Sequence, residues 1–301
     1  MTIVGMIGAT GLMGHGMAHN IVTKGFELRF TLRRDTEKVS DLVAAGARQV
    51  VDNAELGREC DIVVICVTSS ADVEQVVLGP GGLLTDPKSG LIIVDASTAE
   101  PGSTRRLAEA AAARGVGFVD APLTGGPQDA SDGTLNALLG GTPEALSAVR
   151  PVVETYAKYI LETGGVGTAH TLKLINNTVI QAFFAAVSEG FGLAAKTGLD
   201  PRLVTEILSK GNMANGFLPL AASALDGEYD RMKFGLSNAT KDVRYYTRLA
   251  GELGYVAPMG AATHEVLATA VAQGYGDEFV PSIVKSQAQL NGVRLGPDEI
   301  S

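Results

Sequence analysis

The chain has 301 residues, 46% of them hydrophobic, and a formal net charge of −9 with a pI near 5.0. That length suits one large or two modest domains with a substantial core. An acidic chain without a basic block argues against nucleic acid and anionic membrane surfaces as partners, so any anionic ligand must be held by local groups.

Cys60 and Cys66 make no disulfide framework, and Cys66, inside an apolar run, reads as a small core hydrophobe. The four histidines form no cluster with Cys at metal-ligand spacing, so no metal is expected. The opening T-I-V-G-M-I-G lacks a secretory pattern, and no apolar run is expected to reach transmembrane length. A reduced cytoplasm is the default location.

In chain order, strands are expected at Ile3–Ile7, Glu27–Leu32, Asp61–Val67, Leu91–Asp95 and Gly117–Asp120. Helices are expected between them near Leu12–Lys24, Thr36–Ala45, Ala71–Val77 and Pro101–Arg114. This alternation predicts a doubly wound parallel α/β sheet. The runs Leu135–Leu139 and Tyr159–Leu161, around a helix near Pro143–Thr155, extend it. After Gly164-Gly165 the strands stop. A long helix is expected over Thr171–Thr197, then helices near Arg202–Ser209, Phe217–Ala224, Asn238–Leu253, Pro258–Ala272 and Val280–Gln289. The predicted division is an α/β part over residues 1–163 and an all-α part over residues 164–301. Asp200 is placed to cap the helix that opens at Pro201.

Gly8-Ala9-Thr10-Gly11-Leu12-Met13-Gly14 follows the first strand and opens the first helix. A dinucleotide site needs this context, because glycines let backbone approach a pyrophosphate at a helix N-terminus. The spacing carries one residue more than G-x-G-x-x-G, and a tight turn without ligand is the competing reading. The second expected strand ends in Arg33-Arg34, where an NAD site places an acid. Paired guanidinium groups suit a 2′-phosphate, which favours NADP(H) over NAD(H); a solvated charged turn is the alternative.

Only Lys173 and Glu189 are charged between Thr171 and Ala195, so the long helix is expected to be buried on nearly every side. A lysine there is desolvated and pushed toward useful proton transfer, with Asn176 and Asn177 on its face at i+3 and i+4. The bland alternative is a lysine whose stem is buried and whose head reaches water. Ser97 and Thr98 precede the helix near Pro101, and capping it is their alternative reading; Lys241 is equally compatible with a surface helix.

In this order the chain resembles the β-hydroxyacid dehydrogenase family, which includes 3-hydroxyisobutyrate dehydrogenases and tartronate semialdehyde reductases and is related to 6-phosphogluconate dehydrogenase. Residues 7–20 resemble its cofactor loop. Asp95-Ala-Ser97-Thr98 resembles the segment near nicotinamide and substrate, and Asp120-Ala-Pro-Leu-Thr124-Gly125-Gly126 the substrate signature, with Thr124 where serine is usual. Gly167-Thr-Ala-His-Thr-Leu-Lys173-Leu-Ile-Asn176-Asn177 resembles the catalytic segment, and Lys241-Asp242 a late pair whose lysine lies near the cofactor.

The resemblance implies a Rossmann-type domain and a helical domain joined by a long helix, the second usually dimerising, so a homodimer or homotetramer is expected. It implies NAD(P)-dependent oxidation of a small 3-hydroxy acid, with Lys173 exchanging the proton. Ser97, Thr124, Gly125, Gly126, Asn176 and Asn177 would hold the carboxylate substrate. Val67, Thr68, Thr98 and Lys241 would face the cofactor, and Thr68-Ser69 stands where relatives usually carry a proline. The rivals are a non-catalytic NADP(H)-binding protein and a reductase of a sulfonate aldehyde or an imine.

Overall fold

The computed structural model describes residues 2–33 and 37–296. It divides into two compact units, Met1–Lys173 and Leu174–Ser301, and the division falls inside one continuous helix.

The first unit begins with β1 (Ile3–Ile7), α1 (Gly14–Thr23), β2 (Glu27–Thr31), α2 (Ser40–Ala44), β3 (Arg48–Gln49) and α3 (Asn53–Glu59). It continues with β4 (Ile62–Ile65), α4 (Ser70–Leu78), β5 (Ile92–Asp95), α5 (Pro101–Ala112), β6 (Gly117–Asp120) and β7 (Leu123–Thr124). It closes with α6 (Pro127–Asp132), β8 (Leu135–Gly140), α7 (Pro143–Val153) and β9 (Ala157–Gly164). The strand order is β3-β2-β1-β4-β5-β6-β8-β7, with β9 beside β8. From β3 to β6 all neighbours are parallel, as a Rossmann-type sheet requires.

The far edge departs from the all-parallel expectation, because β8 pairs antiparallel with β6 and β7. Only positions 125–134 separate β7 from β8, fewer than the dozen or so residues a parallel crossover needs, so the chain returns antiparallel. Successive strand residues point to opposite faces and feed two cores. Val4, Met6, Val64, Val94 and Val119 join one, and Ile7, Val63, Ile65, Ile93 and Phe118 the other.

The long helix α8 covers Thr168–Lys196. Its length and apolarity match a bilayer-crossing helix, which the sequence was not expected to contain, but half of that stretch is buried inside the fold. It is not buried on every side: Ile175, Val179 and Leu193 are 43%, 65% and 68% exposed. In the second unit Phe184, Val187 and Phe191 of α8 enter a core with Leu218, Leu236, Val243, Leu267 and Ile283. These come from α10 (Leu218–Ala222), α11 (Leu236–Glu252), α12 (Pro258–Ala270) and α13 (Ile283–Asn291). Before them, α9 (Arg202–Lys210) starts where Asp200 accepts the Arg202 N–H at 2.9 Å.

Candidate active site

Parallel pairing aligns the C-terminal ends of the strands, since Ile7 pairs with Ile65, Ile65 with Asp95 and Asp95 with Asp120. Such an edge is where open α/β sheets bind ligands. The loops leaving it carry most of the expected site residues of the first unit.

After β1, Gly8 adopts φ +97°, and a Cβ there would stand 2.1 Å from the Cys66 carbonyl oxygen. A Cβ on Gly14 would stand 2.2 Å from the Gly8 oxygen, so both glycines are required by the packing of the turn itself. The extra residue is absorbed by a turn in which the Gly11 N–H donates to the Gly8 carbonyl at 3.0 Å. Ala9 is buried in the core, whereas Thr10, Gly11 and Leu12 are exposed and Met13 half-buried. Helix α1 starts with no side-chain cap and no acidic residue in its first turn. The His15 N–H is already taken by the Gly11 carbonyl at 3.1 Å, so a pyrophosphate would rely on the helix start and loop positions before it. Burial pushes the nearby Cys66 thiol up to about 12, which removes it as a nucleophile.

Arg33 stands beyond β2 with its side chain 94% exposed and Nη1 3.7 Å from Asp72 Oδ1; Arg34 lies outside the described residues. After β4, Val67 is half-buried and Thr68 exposed, and the Val67 N–H donates to Ser97 Oγ at 3.0 Å. Ser97 is thus buried and engaged with the segment leaving β4, and it does not cap α5, whose N-cap is Glu100. Thr98 is half-buried. Beyond β6, Thr124 Oγ1 accepts from Asn136 Nδ2 at 3.0 Å, and Gly125 is exposed. The Gly126 N–H already donates to Asp129 Oδ2 at 2.7 Å. The Gly126 N–H is thus committed within the fold, unlike the exposed Gly125.

Lys173, half-buried, sits on the second turn of α8. The start of that helix is capped from far along the chain. Asp120 Oδ1 accepts the Gly167 N–H at 2.7 Å and Oδ2 the His170 N–H at 2.9 Å. A carboxylate on the first N–H groups of a helix satisfies orphan donors and complements the helix dipole. Asp95, fully buried beside it, accepts the Ser97 N–H on Oδ1, and burial pushes its carboxyl up.

In the second unit, α8 and α11 bring together Asn176, Asn177, Lys241, Asp242 and Tyr245. Asn177 Nδ2 donates to Asp242 Oδ2 at 2.7 Å, and Lys241 Nζ donates to Oδ1 of the same carboxylate at 2.6 Å. Asn176 Nδ2 donates to Asn177 Oδ1 at 3.2 Å, and Lys241 Nζ lies 4.7 Å from the Tyr245 ring centre. Lys241, with its side chain only 11% exposed, is not a surface lysine. Asp242, 2% exposed, organises the cluster. The sequence reading assigned no role to Asp120, His170 or Asp242; an acid opening or closing a quoted motif was the signal at Asp120 and Asp242.

The family model for the NAD binding domain of 6-phosphogluconate dehydrogenase matches residues 3–165. That for the NAD-binding region of NADP-dependent 3-hydroxyisobutyrate dehydrogenase matches residues 167–286. The chain belongs to the β-hydroxyacid dehydrogenase family. Among its relatives, 2-(hydroxymethyl)glutarate dehydrogenase of Eubacterium barkeri is 29% identical over 97% of both chains. A 3-hydroxyisobutyrate dehydrogenase of Pseudomonas aeruginosa is 32% identical over 73% of both. The human cytokine-like nuclear factor N-PAC is 31% identical over 94% of this chain, which spans 51% of that protein. A Mycobacterium tuberculosis 3-hydroxyisobutyrate dehydrogenase solved with L-serine has the same fold, with a TM-score of 0.84 at 23% identity over 95% of this chain and 99% of that one. As a β-hydroxyacid dehydrogenase the protein is an NAD(P)-dependent oxidoreductase.

Proposed function

We propose that the protein exchanges hydride between NADP(H) and a small carboxylate bearing a hydroxymethyl group, with Lys173 as the proton-exchanging residue. The substrate class rests on two relatives whose names specify hydroxymethyl carboxylates, 2-(hydroxymethyl)glutarate and 3-hydroxyisobutyrate. The observation that carries the reading is the placement of Lys173 two turns or less from Asn176 and Asn177 on one unbroken helix, whose capped start is tied to the C-terminal edge of the sheet.

Thr10, Gly11 and the start of α1 would hold the pyrophosphate, and Arg33 would attract a 2′-phosphate. Bound there, nicotinamide supplies hydride acceptance or donation at the carbinol carbon. The Thr124 hydroxyl and Gly125 would hold the substrate carboxylate. In oxidation the neutral Lys173 amine takes the hydroxyl proton as the alcohol becomes an aldehyde; in reduction the ammonium returns it and stabilises the developing oxyanion. In the second unit Lys241, held by Asp242, would add positive charge to the Asn177 cluster.

A second reading, cofactor binding without turnover, draws on the likeness to a protein named as a nuclear factor. It predicts tolerance of substitution at Lys173. Initial rates on hydroxymethyl carboxylates and their semialdehydes, with NADPH/NADP⁺ and NADH/NAD⁺, separate the two readings, and the coenzyme ratio tests Arg33.

A further inference from the structure

His170 is fully buried, and both of its ring nitrogens are engaged. Nε2 lies 3.0 Å from the Ser97 carbonyl oxygen, and Nδ1 lies 2.8 Å from Thr104 Oγ1. A carbonyl only accepts, so Nε2 carries the proton and donates to Ser97. Its backbone N–H donates to Asp120. One residue thus fixes the first turn of α8 to three separate elements: the exit of β5, the body of α5 and the end of β6. All of these hydrogen bonds are buried.

The surroundings make this more than a packed core residue. Asp95 Oδ2 is 3.9 Å from Nε2, is fully buried and has no hydrogen-bond partner among the described residues. Such an orphan oxygen facing an N–H leaves the ring two acceptors on the same side, only one of which it uses. Ser97, whose carbonyl is used, also accepts the Val67 N–H on its hydroxyl. The chain of contacts therefore runs from the exit of β4, through Ser97, to the ring of His170.

Lys173 is three residues later, one turn along the helix. Helical side chains lean toward the N-terminus, so the stem of Lys173 lies over the turn that His170 anchors. Motion of that turn moves the lysine. A misplacement of about 1 Å at a reacting group costs on the order of a hundredfold in rate.

We propose that His170 is the positioning residue for Lys173, holding the lysine-bearing turn in register with the segments that leave β4 and β5. The inference rests on Lys173 being the proton-exchanging group. It concerns placement of that group and does not involve His170 touching substrate.

The test uses His170→Phe, His170→Gln and Thr104→Val in the full-length protein, each alone and combined with Lys173→Ala, with folding followed by circular dichroism. His170→Phe should lower kcat about ten- to a hundredfold, while KM for the coenzyme changes less than about threefold. Glutamine keeps an N–H donor near the Ser97 carbonyl and should restore most of the lost kcat. Thr104→Val removes the Nδ1 partner, together with the hydroxyl's bond to the Glu100 carbonyl at the start of α5, and should give a smaller loss in the same direction. In the Lys173→Ala background none of the three should lower kcat further, because the group being positioned is gone.

A folded His170→Phe protein with kcat within twofold of the parent would overturn the proposal. So would an equal proportional loss in the Lys173→Ala background, which marks a general structural effect. If His170→Phe does not fold, the same two readings of Thr104→Val decide the matter. Failure of Lys173→Ala to reduce turnover sinks the assignment of the lysine instead, and is seen before any His170 variant is measured.

Discussion

Asp95 shows how a buried residue makes stability depend on pH. Its carboxyl is pushed up by burial, against the opposing pull of His170 and the Ser97 N–H. A raised folded value means that the native state holds this proton more tightly than the unfolded chain. The associated stability is present below the unfolded value, about 4, and is lost as pH rises through the folded one. Urea midpoints of the parent relative to Asp95→Asn should therefore fall as pH rises from about 4; a pH-independent difference would contradict the assignment. At this scale the sequence showed which residue types were present but not their partners. Asp120 is visible as an acid, yet the N–H groups it caps are 47 and 50 residues away. Gly126 was legible as a potential donor, but its capture by Asp129 depends on the short helix α6, which propensity did not reveal.

At the scale of elements, the main strands and long helices follow from apolar periodicity. Ile3–Ile7 and Gly117–Asp120 have the expected bounds, and α8 starts three residues before the expected Thr171. The short elements were missed because they carry little pattern. Helix α3 nevertheless had a readable signal in Asp52-Asn-Ala-Glu55, where Asp52 accepts the Glu55 N–H at 2.8 Å and the Val51 N–H donates to Glu55 at 2.9 Å. The two-residue strands β3 and β7 arise from pairing with neighbours, not from local preference. Helix α8 earns its order in the second unit from large side chains such as Phe184, which is fully buried and meets Phe217 edge-on at 6.2 Å. Phe184→Ala should cost about 3–5 kcal/mol in urea unfolding. A loss below about 1 kcal/mol would show that this core is not what orders the helix.

At the scale of the whole molecule, exposed large apolar side chains concentrate in the second unit. Val179, Leu193, Ile207, Leu253, Tyr255, Val256 and Met259 are each more than half exposed. Where such side chains lie together in one patch they are commonly covered by a partner. We propose that the second unit covers it with further copies of the chain, as a homodimer or homotetramer. Light scattering should then give twice or four times 31.1 kDa, and a monomer at micromolar concentration would contradict it. The two-part architecture was legible as the point where strands give way to helices. What the chain binds was legible only through the order of its motifs, since no single one of them excludes a ligand-free turn.

The measurement to make first compares the parent protein with Lys173→Ala in initial rates on hydroxymethyl carboxylates and their semialdehydes, with both coenzymes. Turnover by the parent that favours NADPH, and a fall in kcat of about 10²–10⁴-fold in the variant, is the expected result. Oxidation by the parent should also quicken as pH rises, because the neutral amine is the base. A folded variant that retains kcat within tenfold of the parent would contradict the assignment of Lys173 as the proton-exchanging residue.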